Sequence, residues 1–575
     1  MEVSINNWRE TISTVMLAVV VGIVVSYAAL GFLWAIDRLH EFFLGAESGE
    51  LYKVLEKVPA WYLFLLPVVG AVFVRLIIQY WMPEQRNHGP ADVIEATRLG
   101  NGDLSIKAGV GSAVASIVSI GSGASVGRYG PAVHLGASLG SWLAQLLKLT
   151  AEQKKNLLAC GVAGAISASF SAPLAGVVFA HEVVLGRFGS RSVMPIVISS
   201  VVATAIVKIH ALDNMIFLLP DIPVVASWEF FVFALVGVAG GALAVCFMSV
   251  MHRIDQFVQQ LPISLMVRAI IGGMLLGVII LVFPQTFGLG EQVIQDALHL
   301  QLSAGVLMML ILAKLLATSV SFAAGFSGGV FGPALFLGAM MGTVCGMGVQ
   351  ELTGVTASPA VYGVVGMGAV ISRVIGAPMT TILIVFELTG SYSLMTAVMV
   401  SVVAGGTVTR EFFNHSYFYH QLRMRGMEPE TSQIQQKLNQ MSVCAFISEQ
   451  SVVLTSDMTL RSARHRLAHF APVIEDAYVV NNERRLMGQI SAAQLYRIHN
   501  EEKMDNLIKS MLYMPSIIFT NDMSVYQAYE QSRHFKGASI PVLDGRTQQF
   551  VGVVYVGELV EACMQALERY RIDER

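Results

Sequence analysis

Apolar residues run in blocks through most of the chain and then give way to ordinary mixed sequence. The blocks fall near 12–36, 61–81, 108–120, 156–180, 193–208, 229–250, 266–283, 303–325, 334–349, 359–371, 378–389 and 394–408. Trp61 to Met82 and Met266 to Pro284 carry a single arginine each, Arg75 and Arg268. Some blocks reach the ~20 residues a helix needs to cross a bilayer, and several fall well short. The short ones are punctuated by glycine and proline, which fits half-helices that enter the membrane without crossing it. Such backbone is tolerated only where protein buries it or where it lines a polar cavity. The pattern predicts an all-α polytopic membrane domain over 1–426, with helices ending near the midplane.

From about Gln421 onward the charge density becomes that of a water-soluble domain. Within 427–575 a second repeat appears. A helix-like run (Leu460 to Phe470) is followed by β-like 477–480 and 486–490, and the same order returns as Ser524 to Phe535, 540–543 and 550–555. Each copy closes with another helix. Two β-α-β-β-α units are therefore expected, at about 441–500 and 509–570. At the other end, Met1 to Ser13 mixes Glu2, Arg9 and Glu10, and the run from Thr14 to Ile36 is long enough to span, so no secretory signal is expected. The basic residues Arg423 and Arg425 after the last apolar block predict a cytoplasmic tail on an inner-membrane protein.

Composition narrows the function. Hydrophobic residues make up 54% and charged residues 13%, about half the charged share of a soluble domain. The net charge of −3 gives no reason to expect nucleic acid as a partner. Cys160, Cys246, Cys345, Cys444 and Cys563 are scattered without metal-ligand spacing and read as small apolar residues. No nucleophile–base pair or metal cluster is visible, so neither an enzyme nor a metal cofactor is expected.

One motif occurs twice. Gly127-Arg128-Tyr129-Gly130-Pro131-Ala132-Val133-His134-Leu135-Gly136-Ala137 and Gly329-Val330-Phe331-Gly332-Pro333-Ala334-Leu335-Phe336-Leu337-Gly338-Ala339 agree at seven of eleven positions. Ala172-Pro173 also precedes Glu182 by the distance at which Ala377-Pro378 precedes Glu387. Repeats of broken apolar segments point to a transport site between two half-molecules, here an inverted repeat. In Gly-X-X-Gly-Pro the glycines allow a tight turn and the proline sits in the first turn of a helix. The free N–H groups of that turn then face outward at the positive end of the helix dipole. Two such ends facing each other make an anion site with almost no formal charge, weak enough to let the ion leave. Gly and Ala at this spacing also serve close helix packing; the recurrence of the proline at a matched offset favours the site.

These residues resemble the CLC family of chloride channels and chloride/proton exchangers. Gly121-Ser122-Gly123-Ala124-Ser125-Val126-Gly127-Arg128-Tyr129-Gly130-Pro131 is similar to its G-S-G-x-S-x-G-[RK]-E-G-P stretch, and Gly329-Val330-Phe331-Gly332-Pro333 to its G-x-F-x-P motif. Phe170-Ser171-Ala172-Pro173-Leu174-Ala175-Gly176 and Glu387-Leu388-Thr389-Gly390 match as well, and the tail resembles a tandem pair of CBS domains. The resemblance implies a homodimer in the lipid bilayer with a separate pore in each subunit. It also implies chloride, or a similar monovalent anion, carried past the backbone of residues 127–130 and 329–331.

The departures bear on mechanism. The family pattern has glutamate where this chain has Tyr129, and that carboxylate gates the path and carries the proton in exchangers. A tyrosine, with a reference pKa near 10, is neutral at pH 7 and carries no proton there. Exchangers have a second acid directly after Glu182; here it is Val183. His88, in Asn87-His88-Gly89-Pro90-Ala91-Asp92, falls where the family has an anion-coordinating serine, as a donor to the ion or as a helix cap. The pore tyrosine of the family aligns with Phe418, or, shifted by one residue, with Tyr417 or Tyr419. Glu182 and Glu387 are expected to cap backbone N–H groups or to be protonated. The expected function is a passive, uncoupled chloride channel gated at Tyr129. The alternative is a chloride/proton exchanger using His181 and Glu182. A cation channel or magnesium transporter would need an acidic cluster in an apolar block, and none is present.

In the tail, the family's ribose-binding G-x-x-[ST]-x-x-D pattern reads Gly488 to Gln494 and Gly552 to Glu558, with Tyr555 in place of the small hydroxyl residue. Gln494 and Glu558 replace the aspartate. A dimerisation module is expected ahead of an adenine-nucleotide site.

Overall fold

The computed structural model describes residues 2–45, 51–55, 57–210, 227–354, 357–412, 416–427, 438–439, 441–448, 453–468, 476–498 and 502–573. The chain divides into two units, Met1–Pro429 and Glu430–Arg575. Helices build the first. Its first half holds α1 (Glu2–Leu44), α2 (Leu51–Leu55), α3 (Ala60–Tyr80), α4 (Pro90–Ile94), α5 (Ile106–Gly121), α6 (Tyr129–Leu146), α7 (Ala151–Phe170), α8 (Pro173–Phe179) and α9 (Ser190–Ile209). Its second half holds α10 (Glu229–Gln260), α11 (Leu265–Val282), α12 (Glu291–Leu298), α13 (Ala304–Ala324), α14 (Phe331–Thr353), α15 (Pro359–Ile375), α16 (Pro378–Thr389), α17 (Tyr392–Phe412) and α18 (Tyr417–Met424).

Among the described residues, seven helices are long and apolar enough to cross a membrane, from Ile12–Leu44 to Phe331–Thr353. Shorter apolar helices lie between and after them, including Ile106–Gly121, Pro359–Ile375 and Pro378–Thr389. The apolar block at 156–180 is not one helix. It breaks after Phe170, where Ser171 turns left-handed at φ 52° and Pro173 opens α8. Proline has no N–H to continue the ladder of α7, and it pushes the residue before it into extended backbone. The same device stands at Ala377-Pro378, where α16 opens with Ala377 at φ −130°, ψ 72°, close to Ala172 at φ −121°, ψ 82°.

Small residues let the long helices approach. A Cβ on Gly136 would meet the Gly161 carbonyl between α6 and α7, and one on Gly338 would meet the Gly366 carbonyl between α14 and α15. These are matched positions of the two halves, and in both the close contact replaces the hydrophobic drive that lipid does not supply.

The second unit contains two three-stranded sheets of equal topology. In one, β1 (Val453–Thr455) runs parallel to β2 (Asp476–Val480), which pairs antiparallel with β3 (Leu486–Ser491). In the other, β4 (Phe519–Thr520), β5 (Ser539–Leu543) and β6 (Phe550–Tyr555) repeat the arrangement. The parallel pairs need a crossover, supplied by helices Leu460–Ala468 and Val525–Ser532; helices Ala492–Tyr496 and Val556–Asp573 close the copies. The order is the β-α-β-β-α of the sequence reading. Tyr478, Val480, Leu543, Phe550 and Val553 form one core between the sheets. Burial there pushes the Tyr478 hydroxyl up to about 12, and that hydroxyl donates to the Ser539 carbonyl at 2.9 Å.

Candidate anion pathway

The two copies of the repeated motif meet at a single crossing. Gly127 N–H donates to the Gly329 carbonyl at 2.6 Å and Gly329 N–H donates to the Gly127 carbonyl at 2.7 Å. A Cβ on Gly127 would lie 2.8 Å from the Gly332 nitrogen, and one on Gly329 would lie 2.9 Å from the Gly130 nitrogen. Each contact has its counterpart with the halves exchanged, which is the signature of a two-fold relation between them. The crossing forces α6 and α14 to begin side by side, with Arg128 and Val330 in the capping positions. First-turn N–H groups have no partner within their own helix. Two positive helix ends therefore share one small volume, an arrangement that favours an anion.

Three rings occupy that volume. Tyr129 stacks on Phe170 with centroids 4.0 Å apart and planes at 15°. It meets Phe331, its counterpart in the other copy, edge-on at 5.0 Å, and Phe170 lies 5.1 Å from Phe331. All three are buried. Among the described residues the buried Tyr129 hydroxyl has no hydrogen-bond partner. The Arg128 guanidinium lies 5.3 Å from the Tyr129 ring centre and pairs with Glu291 at 3.0 Å. The sequence reading missed Phe170 and Glu291 as site residues. Phe170 stood in a quoted motif, at the last turn before the Ala-Pro break; Glu291 had no motif to mark it.

The remaining positions are brought close in different degrees. The His88 ring lies with Nε2 3.2 Å from the Pro83 carbonyl and Nδ1 3.4 Å from Asp92. Asp92 in turn binds Arg86 at 2.5 Å and Arg425 at 3.0 Å, and accepts from Gly89 N–H at 2.8 Å. The His88 ring therefore serves the start of α4, while Pro90 next to it would lie 3.6 Å from a Cβ on Gly130. Phe418 is buried in the same apolar core as Tyr129, Val330 and Phe331. The Tyr417 hydroxyl accepts from Gln421 at 3.1 Å, and the Tyr419 hydroxyl binds Arg98.

Glu182 and Glu387 cap across the halves. Glu182 accepts from the backbone of Met379 at 3.0 Å and Thr380 at 2.9 Å, and from the Thr380 hydroxyl at 2.7 Å. Glu387 accepts from the backbone of Leu174 and Ala175, both at 2.8 Å. Each acid thus satisfies the N-terminus of the broken helix belonging to the other half, α16 or α8. His181 lies with Nδ1 2.9 Å from the Val177 carbonyl and Nε2 3.2 Å from the Ser192 hydroxyl, its ring stacked on Phe188 at 5.1 Å. Val183 is buried in the apolar core. In the second unit Gln494 and Glu558 are exposed on the closing helices.

A helical membrane unit with two opposed helix N-termini at its crossing is the build of a multi-pass anion-transport protein. Residues 70–410 match the family model described as voltage gated chloride channel, and the chain belongs to that family, the CLC anion transporters. It is 31% identical over 400 residues to a ClcB-like protein of Ralstonia nicotianae, covering 68% of this chain and 92% of the relative. Its fold is similar to a slow cyanobacterial Cl−/H+ antiporter (TM-score 0.63, 21% identity, 72% of this chain and 97% of the other). It is also similar to a eukaryotic CLC transporter (TM-score 0.61, 18% identity), which covers 94% of this chain and 97% of its own.

Proposed function

We propose that this protein conducts chloride, or a similar monovalent anion, passively and without proton coupling. The observation that carries the reading is Tyr129. An aromatic ring, stacked on Phe170 and edge-on to Phe331, stands at the crossing of the two helix N-termini where the family pattern has a carboxylate. A phenol at that point obstructs the path and can donate a hydrogen bond to an anion, but it neither competes with the anion by charge nor relays protons at neutral pH. Val183 removes the second acid. The working unit is a homodimer with one pathway per subunit, set in the inner membrane, with the CBS-like tail in the cytoplasm as a dimerisation and regulatory module.

Proton exchange, the activity named for the cyanobacterial neighbour, would have to run here through His181 and Glu182. Both side chains are already engaged, Glu182 on the start of α16 and His181 on Val177 and Ser192. The deciding experiment places purified protein in liposomes with a chloride gradient, a potassium ionophore fixing the membrane potential, and a pH electrode outside. Chloride movement with no proton driven uphill is the expected result; uphill proton movement overturns the reading.

A further inference from the structure

Position 183 holds more than a missing acid. The carbonyls of the wide turn Ala180–Leu185 converge on one side chain, Arg98, from the turn Glu95–Leu99 that follows α4. Its Nη2 donates to the Val183 carbonyl at 2.8 Å and the Glu182 carbonyl at 3.3 Å, and its Nε donates to the Val184 carbonyl at 3.2 Å. Its Nη1 meets the Tyr419 hydroxyl, and the guanidinium carbon lies 5.2 Å from the Tyr419 ring centre. Two neighbours fix the arrangement. Thr97 adds a hydroxyl bond to the Val184 carbonyl at 3.0 Å. Gly186, at φ 70°, leaves the space that a Cβ would take within 2.6 Å of the Arg98 guanidinium carbon.

A cation at the carbonyl end of a helical segment is a stabilising cap, and that accounts for part of the arrangement. It leaves the anchoring on α18 and the choice of position unaccounted for. The guanidinium sits on the backbone of the residue where exchangers of the family carry their internal proton acid. Arginine keeps its proton at any working pH, so it cannot itself relay one. A guanidinium within a few ångströms of a carboxyl favours the charged form of that carboxyl and so opposes its taking up a proton. The Glu182 carboxylate points the other way, to α16.

We infer that Arg98 is a specificity-determining residue of the pathway: clamped between the Glu182–Val184 carbonyls and Tyr419, it bars proton relay at position 183. The inference rests on the uncoupled reading above and goes one step further. On this inference, loss of the acids is only part of what separates this protein from an exchanger, and Arg98 is the rest.

The test uses the full chain in the same liposome assay. The double variant Tyr129→Glu/Val183→Glu is expected to pass chloride with no uphill proton movement. Adding Arg98→Gln to that pair is expected to produce uphill proton movement, and adding Arg98→Lys instead is expected to keep protons out, since charge rather than shape is the barrier. Proton coupling in the double variant, coupling with lysine, or chloride flux without protons in the Arg98→Gln variant would each overturn the inference. Should the Arg98→Gln triple variant carry no chloride, infrared spectroscopy of Val183→Glu alone decides the matter. At mildly acidic pH the protonated carboxyl band of the introduced acid is expected only when Arg98→Gln is also present; its presence beside native Arg98 refutes the claim. The unaltered protein run in parallel separates the two proposals: if it pumps protons, the uncoupled reading itself fails.

Discussion

Tyr129 carries a ring and a hydroxyl, and the two can be separated. The ring has well-formed contacts, a 4.0 Å stack on Phe170 and a 5.0 Å edge contact with Phe331, whereas the hydroxyl has no partner among the described residues. Obstruction is thus a property of the ring. Tyr129→Ala should raise chloride efflux from liposomes severalfold, while Tyr129→Phe should leave it near the native rate. Equal fluxes for Tyr129→Ala and the native protein would remove the ring from the gate. Truncating a buried aromatic costs about 3–5 kcal/mol, so the alanine variant should also melt earlier, and flux is best compared per folded protein. At this scale the sequence was informative wherever a motif was present. Gly127, Tyr129, Gly329 and Phe331 could be named because the second copy vouched for the first. Arg98 and Glu291 could not, because each acts through a partner far away in the chain, Val183 or Arg128, and no spacing rule links them. His88 shows a further limit: its position was legible, but the engagement of its ring by Pro83 and Asp92 depends on a turn that the sequence pattern does not specify.

The broken helices behave as one joint made of two ends. Each of α8 and α16 opens with proline, and its first N–H groups are capped across the halves, by Glu387 of α16 and by Glu182 of the turn after α8 respectively. Hydrogen bonds to a charged group contribute about 1.5–3 kcal/mol, and glutamine offers only one acceptor oxygen for two N–H groups. Glu387→Gln should therefore lower the melting temperature of the detergent-solubilised protein, by a free energy on the order of 1–3 kcal/mol. Because the two caps share a joint, Glu182→Gln and Glu387→Gln together should cost a sum different from the separate losses; strict additivity would argue against a shared joint. The crossing is less forgiving. A methyl group on Gly329 would lie 2.9 Å from the Gly130 nitrogen and 3.1 Å from its Cα, both backbone atoms that cannot yield. Gly329→Ala should abolish assembly of the pathway, seen as loss of a monodisperse species on size exclusion. Helix existence was readable from apolar blocks, and Ala172-Pro173 marked a break within one of them; the left-handed turn at Ser171 that redirects the chain there was not, since apolar sequence does not show backbone angles.

Across the whole molecule, the prediction concerns pH. With a phenol at 129 and valine at 183, neither of the two positions where exchangers of the family carry a proton holds a carboxylate, so chloride flux should vary little between about pH 5 and 8 unless a histidine titrates. His88 and His181 are the two to replace if it does vary. A steep dependence that persists in the doubly substituted protein would defeat this account.

The reciprocal caps also set a timetable. Glu182 finds its partners 197 and 198 residues later in the chain. At the ~5–20 residues per second of ribosomal synthesis, that separation is a wait of about 10–40 s. Through that interval the newly inserted first half holds an acid in apolar surroundings and an α8 whose leading N–H groups have nothing to bind, at a cost of several kcal/mol. The half-protein is thus an obligatory, unstable guest of the membrane until its second half emerges. Yield should track how quickly the ribosome traverses the stretch between α9 and α16.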